Sequence, residues 1–217
     1  EYLPVKTLKF QLEFGNWNST KKYISLLGIA HAMKCLHRQG ITHLNLRPEN
    51  ILLDDNLYPE ISGYMYQQDP ISGYDENSIY IAPEIEQKNI FSQSADVFSF
   101  AMIAYYIITS KNPYFEFFRN IYDHYRNNYR NYNVFVYYHN KYYRIMDNIR
   151  YNKNDIANDI MRELISLCAN PEYEKRPPFD LIFYYLSNFD VWHSYDLNKY
   201  EINNYIQRLK NTELAYE

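Results

Sequence analysis

The stretch VFSFAMIAYYII, Val97–Ile108, constrains this chain more than any other. Its twelve residues carry no charge, and a helix apolar on every side must be buried on every side. A membrane span needs roughly 20 such residues, so the stretch predicts a helix at the centre of a globular core, from Ala95 to Ile108. A chain of 217 residues is long enough to build that core as one good-sized domain. Its composition, 47% apolar and 22% charged, is ordinary for a folded domain.

Other helices are legible from their periodicity and caps. Asn18 or Ser19 can cap a helix whose apolar residues Leu26, Ile29, Ala30, Met33 and Leu36 recur at offsets of three and four, and Gly40 stops it. Met161, Leu164, Ile165 and Cys168 form a second stripe, Phe179 to Leu186 follows the Pro177–Pro178 turn, and Ile202, Tyr205, Ile206 and Leu209 mark an amphipathic helix near the C-terminus. ITHLNL, NILLDD and LYPEIS suit short strands or extended loops. Residues 64–80 lack any period and predict a loop. The Tyr/Asn-rich tract of about 114–154 predicts one helix within an irregular insertion. No internal repeat is visible. The expected fold class is mainly α with a few short strands (α+β).

Several functions are disfavoured by the totals. Lys and Arg number 22 against 26 Asp and Glu, a net charge of −4, so no basic track for nucleic acid is expected. The histidines show no zinc-site spacing, and Cys35 and Cys168 each sit in an apolar helical pattern as reduced core thiols. No signal peptide opens the chain, so an intracellular, cytoplasmic location without membrane contact is expected. The 26 tyrosines reflect compositional bias more than a task, and Ser62, Ser78, Tyr74 and Tyr80 read as loop residues before they read as modification sites. The first residue is Glu1 and not Met, which suggests a piece of something longer.

HLNLRPENILLD, residues 43–54, resembles the catalytic loop of eukaryotic protein kinases, whose pattern is H-R-D-L-x-x-x-N. His43, Leu46 and Asn50 match it. Thirteen residues after Asn50, Gly63-Tyr64-Met65 stands where a kinase has its D-F-G. Ala82-Pro83-Glu84 supplies the A-P-E, SADVFSF resembles the opening of the long central helix, and EKRPPF resembles a late family element. These motifs, in order and at the right spacing, are far more specific together than any one alone. With IAHAMKCLHRQGI ahead of the loop, they look closest to tyrosine-kinase-like Ser/Thr kinases. The resemblance covers about residues 1–190 and implies the large C-terminal lobe alone, with 191–217 a helical extension. Glu1–Leu3 falls at the hinge, and no Gly-rich loop, strand Lys or helix Glu precedes it within the sequence.

The departures from the pattern concern the chemistry. Asn45 replaces the Asp that accepts the substrate hydroxyl's proton. An amide can orient a hydroxyl but is barely basic, and general-base assistance is worth about 10²–10⁴-fold. Gly63 replaces the Asp that binds the Mg²⁺ bridging the phosphates, and glycine has no side-chain oxygen. Asn50 would offer the metal one amide oxygen. The nearest acids, Glu60 and Asp69, lie three residues before and six after Gly63. Leu44 replaces the Arg that docks an activation-loop phosphate, and Arg47 replaces the usual Lys with its charge kept.

By the same resemblance, the kept residues are structural. Glu84 and Arg176 match a buried ion pair, Asp96 matches the residue holding the catalytic-loop backbone, and His43 is a core histidine before it is a catalyst. Leu52 is either the floor of an adenine pocket or a core leucine. The expectation is therefore an inactive kinase-like module that binds proteins, with a small lobe or another partner covering its exposed apolar face, and without cofactor. The alternative is a diverged ATP- and Mg-dependent Ser/Thr kinase whose small lobe lies outside this chain. A functionless pseudogene product is a third option.

Overall fold

The computed structural model describes residues 6–63, 76–113, 156, 158–188 and 196–214. The expected hinge at Glu1–Leu3, the residues Tyr64, Met65, Asp69 and Tyr74, and the tract at 114–154 lie outside them.

Helices dominate: α1 (Leu8–Phe14), α2 (Ser19–Arg38), α3 (Pro83–Lys88), α4 (Gln93–Thr109), α5 (Asp159–Cys168), α6 (Phe179–Leu186) and α7 (Lys199–Leu214). Strands β1 (Ile51–Leu53) and β2 (Pro59–Ile61) form one antiparallel hairpin, with Ile51 opposite Ile61 and Leu53 opposite Pro59. The domain is thus mainly helical with two short strands among the described residues, as the sequence predicts.

The uncharged stretch does what its composition requires. Every residue of α4 from Ala95 to Ile107 is buried. Helix α2 is its neighbour in the core and also packs on α6, β2 and α7. Asn18 caps α2 by accepting the Lys21 N–H at 2.8 Å, and Gly40, at φ +75°, takes the left-handed position just past its end. Lys22 reaches from α2 to the far end of α4, donating to the Ile108 carbonyl at 3.2 Å and to Ser110 Oγ at 2.7 Å. That puts an ammonium at a helix C-terminus, where the backbone dipole favours it.

Two differences from the sequence reading have simple causes. Residues Glu76–Tyr80 form a 3₁₀ turn within the stretch expected to be a loop. Ser99 Oγ donates to the Tyr80 carbonyl at 2.6 Å, and Ile79 is fully buried, so contact with α4 orders a segment that has no periodicity of its own. Helices α1 and α3 are too short to show a period. Thr7 Oγ1 caps α1 and Pro83 starts α3.

The thiols differ from each other. Cys168 is fully buried, while Cys35 is half-buried with its sulfur 3.9 Å from His31 Nε2.

Candidate functional site

The loop from His43 to Asn50 is held from below by one carboxylate. Asp96, fully buried in the first turn of α4, accepts the His43 N–H at 2.8 Å on Oδ2 and the Leu44 N–H at 2.7 Å on Oδ1. His37 Nε2 donates to the same Oδ2 at 2.9 Å. A buried carboxylate needs such donors, and three of them come from two separate elements. Leu44 sits at φ +59°, a conformation that costs an L-residue roughly 1–2 kcal/mol and persists only where neighbours enforce it. Its bond to Asp96 is the visible enforcement.

His43 is a core histidine with no solvent exposure. Its Nδ1 accepts the Asn45 N–H at 3.2 Å, so the ring proton belongs on Nε2, which donates to the Ser62 carbonyl at 3.0 Å. Burial holds its pKa below the ordinary value, against an opposing pull from Asp96 and the Ser62 carbonyl. The ring therefore ties the loop to the end of β2 as a neutral group.

Asn45, Asn50 and Gly63 converge. The Asn45 side-chain amide donates to the Gly63 carbonyl at 3.1 Å, and the Asn50 amide donates to the Asn45 carbonyl at 2.7 Å. Ser62 closes the circuit, its N–H and O–H reaching the Asn50 carbonyl at 2.9 and 3.0 Å. Gly63 lies at φ +71°, and a Cβ there would stand 3.0 Å from both Cγ and Oδ1 of Asn50. Asn50 thus directs its amide oxygen toward the place where a side chain at position 63 would begin.

This donor set does not fit a magnesium ion. Mg²⁺ takes near-octahedral oxygen ligands, with carboxylates supplying the charge. Here one neutral amide oxygen faces a glycine. Glu60 points from an exposed position on β2, and no group of three or more His, Cys, Asp or Glu able to hold a metal occurs among the described residues.

The remaining expected residues are spread around this centre. Arg47 is half-buried, and its Nε finds no hydrogen-bond partner among the described residues. Leu52 is half-buried between the buried Ile51 and Leu53, on the strand face it shares with Glu60. It is not one of the fully buried core leucines. Ser78 and Tyr80 are buried, which removes both as accessible modification sites.

Glu84 and Arg176 form a two-pronged ion pair. Nη1 meets Oε1 at 2.7 Å and Nη2 meets Oε2 at 2.8 Å, with the side chains 2% and 0% exposed. Arg176 also donates to the Ser94 carbonyl at 2.8 Å and the Asn170 carbonyl at 2.7 Å, and its guanidinium lies 5.2 Å from the Phe98 ring centre. One cation therefore joins α3, the start of α4 and the turn after α5.

His37 and Ser62 belong to this constellation but were not singled out for it from sequence. Nothing in the spacing of His37 marks it, because its partner Asp96 is 59 residues away. The same applies to Lys9, whose ammonium lies 2.9 Å from Glu49 of the loop.

Comparison with known proteins agrees with this geometry. The family model of the protein kinase domain matches residues 1–184. A protein kinase and PP2C-like domain-containing protein of Arabidopsis thaliana is 27% identical over 132 residues, 50% of this chain and 20% of that protein. The probable serine/threonine-protein kinase gdt2 of Dictyostelium discoideum is 26% identical over 198 residues, 83% of this chain and 10% of that protein. The inactive leucine-rich repeat receptor-like protein kinase CORYNE of Arabidopsis thaliana is 32% identical over 90 residues, 40% of this chain and 22% of that protein. The chain thus spans between 10% and 22% of the length of these relatives. A loop slung from a buried aspartate, an A-P-E glutamate gripped by a distant arginine, and a match over most of the sequence have one common explanation: the chain belongs to the protein kinase domain family.

Proposed function

We propose that this chain is the large lobe of a degenerate, tyrosine-kinase-like domain that transfers no phosphate and serves as a protein-interaction module in the cytoplasm. The observation carrying this reading is the pairing of Asn45 with Gly63, an amide and a bare backbone at the positions where the family keeps its two acids. Neither can take a proton from a hydroxyl or neutralise a metal's charge. Exposed apolar side chains support a role in contacts: Phe10 and Phe14 on α1, and Leu181, Tyr184 and Tyr185 on the outer face of α6. The relative named as inactive is consistent with it. No cofactor is required.

Two measurements test the proposal. Incubation with MgATP and a general protein substrate should give no chain-dependent transfer of phosphate. A thermal-shift titration with nucleotide should give no stabilisation, whereas ligand at about 100 times its dissociation constant would add about 2.7 kcal/mol. Clear transfer or a clear shift overturns the reading.

A second reading is favoured by the relatives named as Ser/Thr kinases and by the Asn50 amide oxygen, which faces Gly63. In it, a diverged ATP-dependent Ser/Thr kinase draws its small lobe from residues encoded upstream. A Gly-rich loop and strand lysine in the preceding codons would support it.

A further inference from the structure

We infer that α7 is a strap that holds the β1–β2 hairpin by its turn, and through the hairpin sets Asn50 against Ser62 and Gly63. A hairpin of two three-residue strands is marginal in water, so its placement depends on what packs against it. On the loop side, Ser62 meets Asn50 as described. At the turn, the Tyr58 ring lies 4.4 Å from the Tyr205 ring of α7 and 5.3 Å from the Arg208 guanidinium. Lys21, at the start of α2, stands 5.1 Å from the same ring, donates to the Asn56 carbonyl at 2.8 Å and reaches Glu201 of α7 at 2.7 Å. One ammonium thus ties the turn and the strap together, and Arg208 adds a longer contact to Asp54 at 3.8 Å.

Gly28 shows how closely these parts are fitted. A Cβ on this residue of α2 would lie 2.2 Å from Tyr205 Oη and 2.4 Å from Pro59 Cγ. Glycine inside a helix costs about 1 kcal/mol relative to alanine, and here it gives α2, β2 and α7 room to meet at one point. From Pro59 the strand runs through Ile61 straight into Ser62 and Gly63. Displacing the strap should therefore be felt first at the hairpin and its junction with the loop.

The test is amide hydrogen exchange on the full chain carrying Tyr205→Ala and, separately, Arg208→Ala. It is read at Ser62 and Leu53, whose N–H groups bond Asn50 and Lys6, and at Ile103 in the core of α4. Tyr205→Ala should speed exchange at Ser62 and Leu53 by about tenfold or more, with Ile103 reporting the accompanying loss of global stability, and Arg208→Ala should act in the same direction by about threefold. The inference is overturned if Ser62 and Leu53 keep their natural exchange rates in the variants, whether or not Ile103 accelerates. Should Tyr205→Ala fail to fold, Arg208→Ala decides alone, since that side chain is half-exposed.

Discussion

The side-chain amide of Asn45 donates to the backbone carbonyl of Gly63 at 3.1 Å, so the loop and the residue after the β1–β2 hairpin's Ser62 are bonded directly to each other. Asn45 has a local role here that an aspartate could not fill, because a carboxylate has no proton to offer a carbonyl oxygen.

Asn45→Asp should therefore cost stability without producing activity. It removes one hydrogen bond and sets two oxygens against each other, a loss of about 1 kcal/mol at this half-buried site. Urea denaturation should show the lowered midpoint, and a phosphate-transfer assay should stay at background. A stabilised variant, or one that transfers phosphate, contradicts the role assigned to the amide.

Glu84→Ala should be far more damaging. It leaves the Arg176 guanidinium charged and closed from water with both carboxylate bonds gone. Breaking one side of such a buried pair costs about 3–5 kcal/mol, which denaturant melts would read directly. A loss under about 1 kcal/mol would mean that the Ser94 and Asn170 carbonyls hold the cation unaided.

His43 should make the fold acid-sensitive. Burial keeps its folded-state pKa below the ordinary 6.5, outweighing the charge of Asp96 and the Ser62 carbonyl, and His37 pushes in the same lowering direction. The unfolded chain then holds more protons than the folded one between the two values. Stability should fall as the pH drops through 6.5 and level off below the folded value. A His43→Asn variant, compared by urea midpoints at about pH 8 and about pH 5.5, should lose less stability on acidification than the natural chain. Equal losses would place the acid sensitivity elsewhere.

Periodicity and composition already specify the helices that bury one full face. The run Val97–Ile108 could only be a core helix, and the stripes at Met161–Cys168 and Ile202–Leu209 fold as their spacing requires. The letters likewise say what positions 45 and 63 can do chemically, because residue type alone decides whether a side chain can bind a proton or a metal. What the letters leave open is which groups share a hydrogen bond. Asp96 reaches back 59 residues to His37, Arg176 reaches 92 to Glu84, and Lys21 joins a turn and a helix far from it in sequence. Such pairings carry no local signal, since their energy arises only when packing removes water from both partners at once. Residue type alone places an amide at 45 and a bare backbone at 63; only the folded chain brings that amide to that carbonyl, because packing must first carry residues 18 apart to within hydrogen-bond reach.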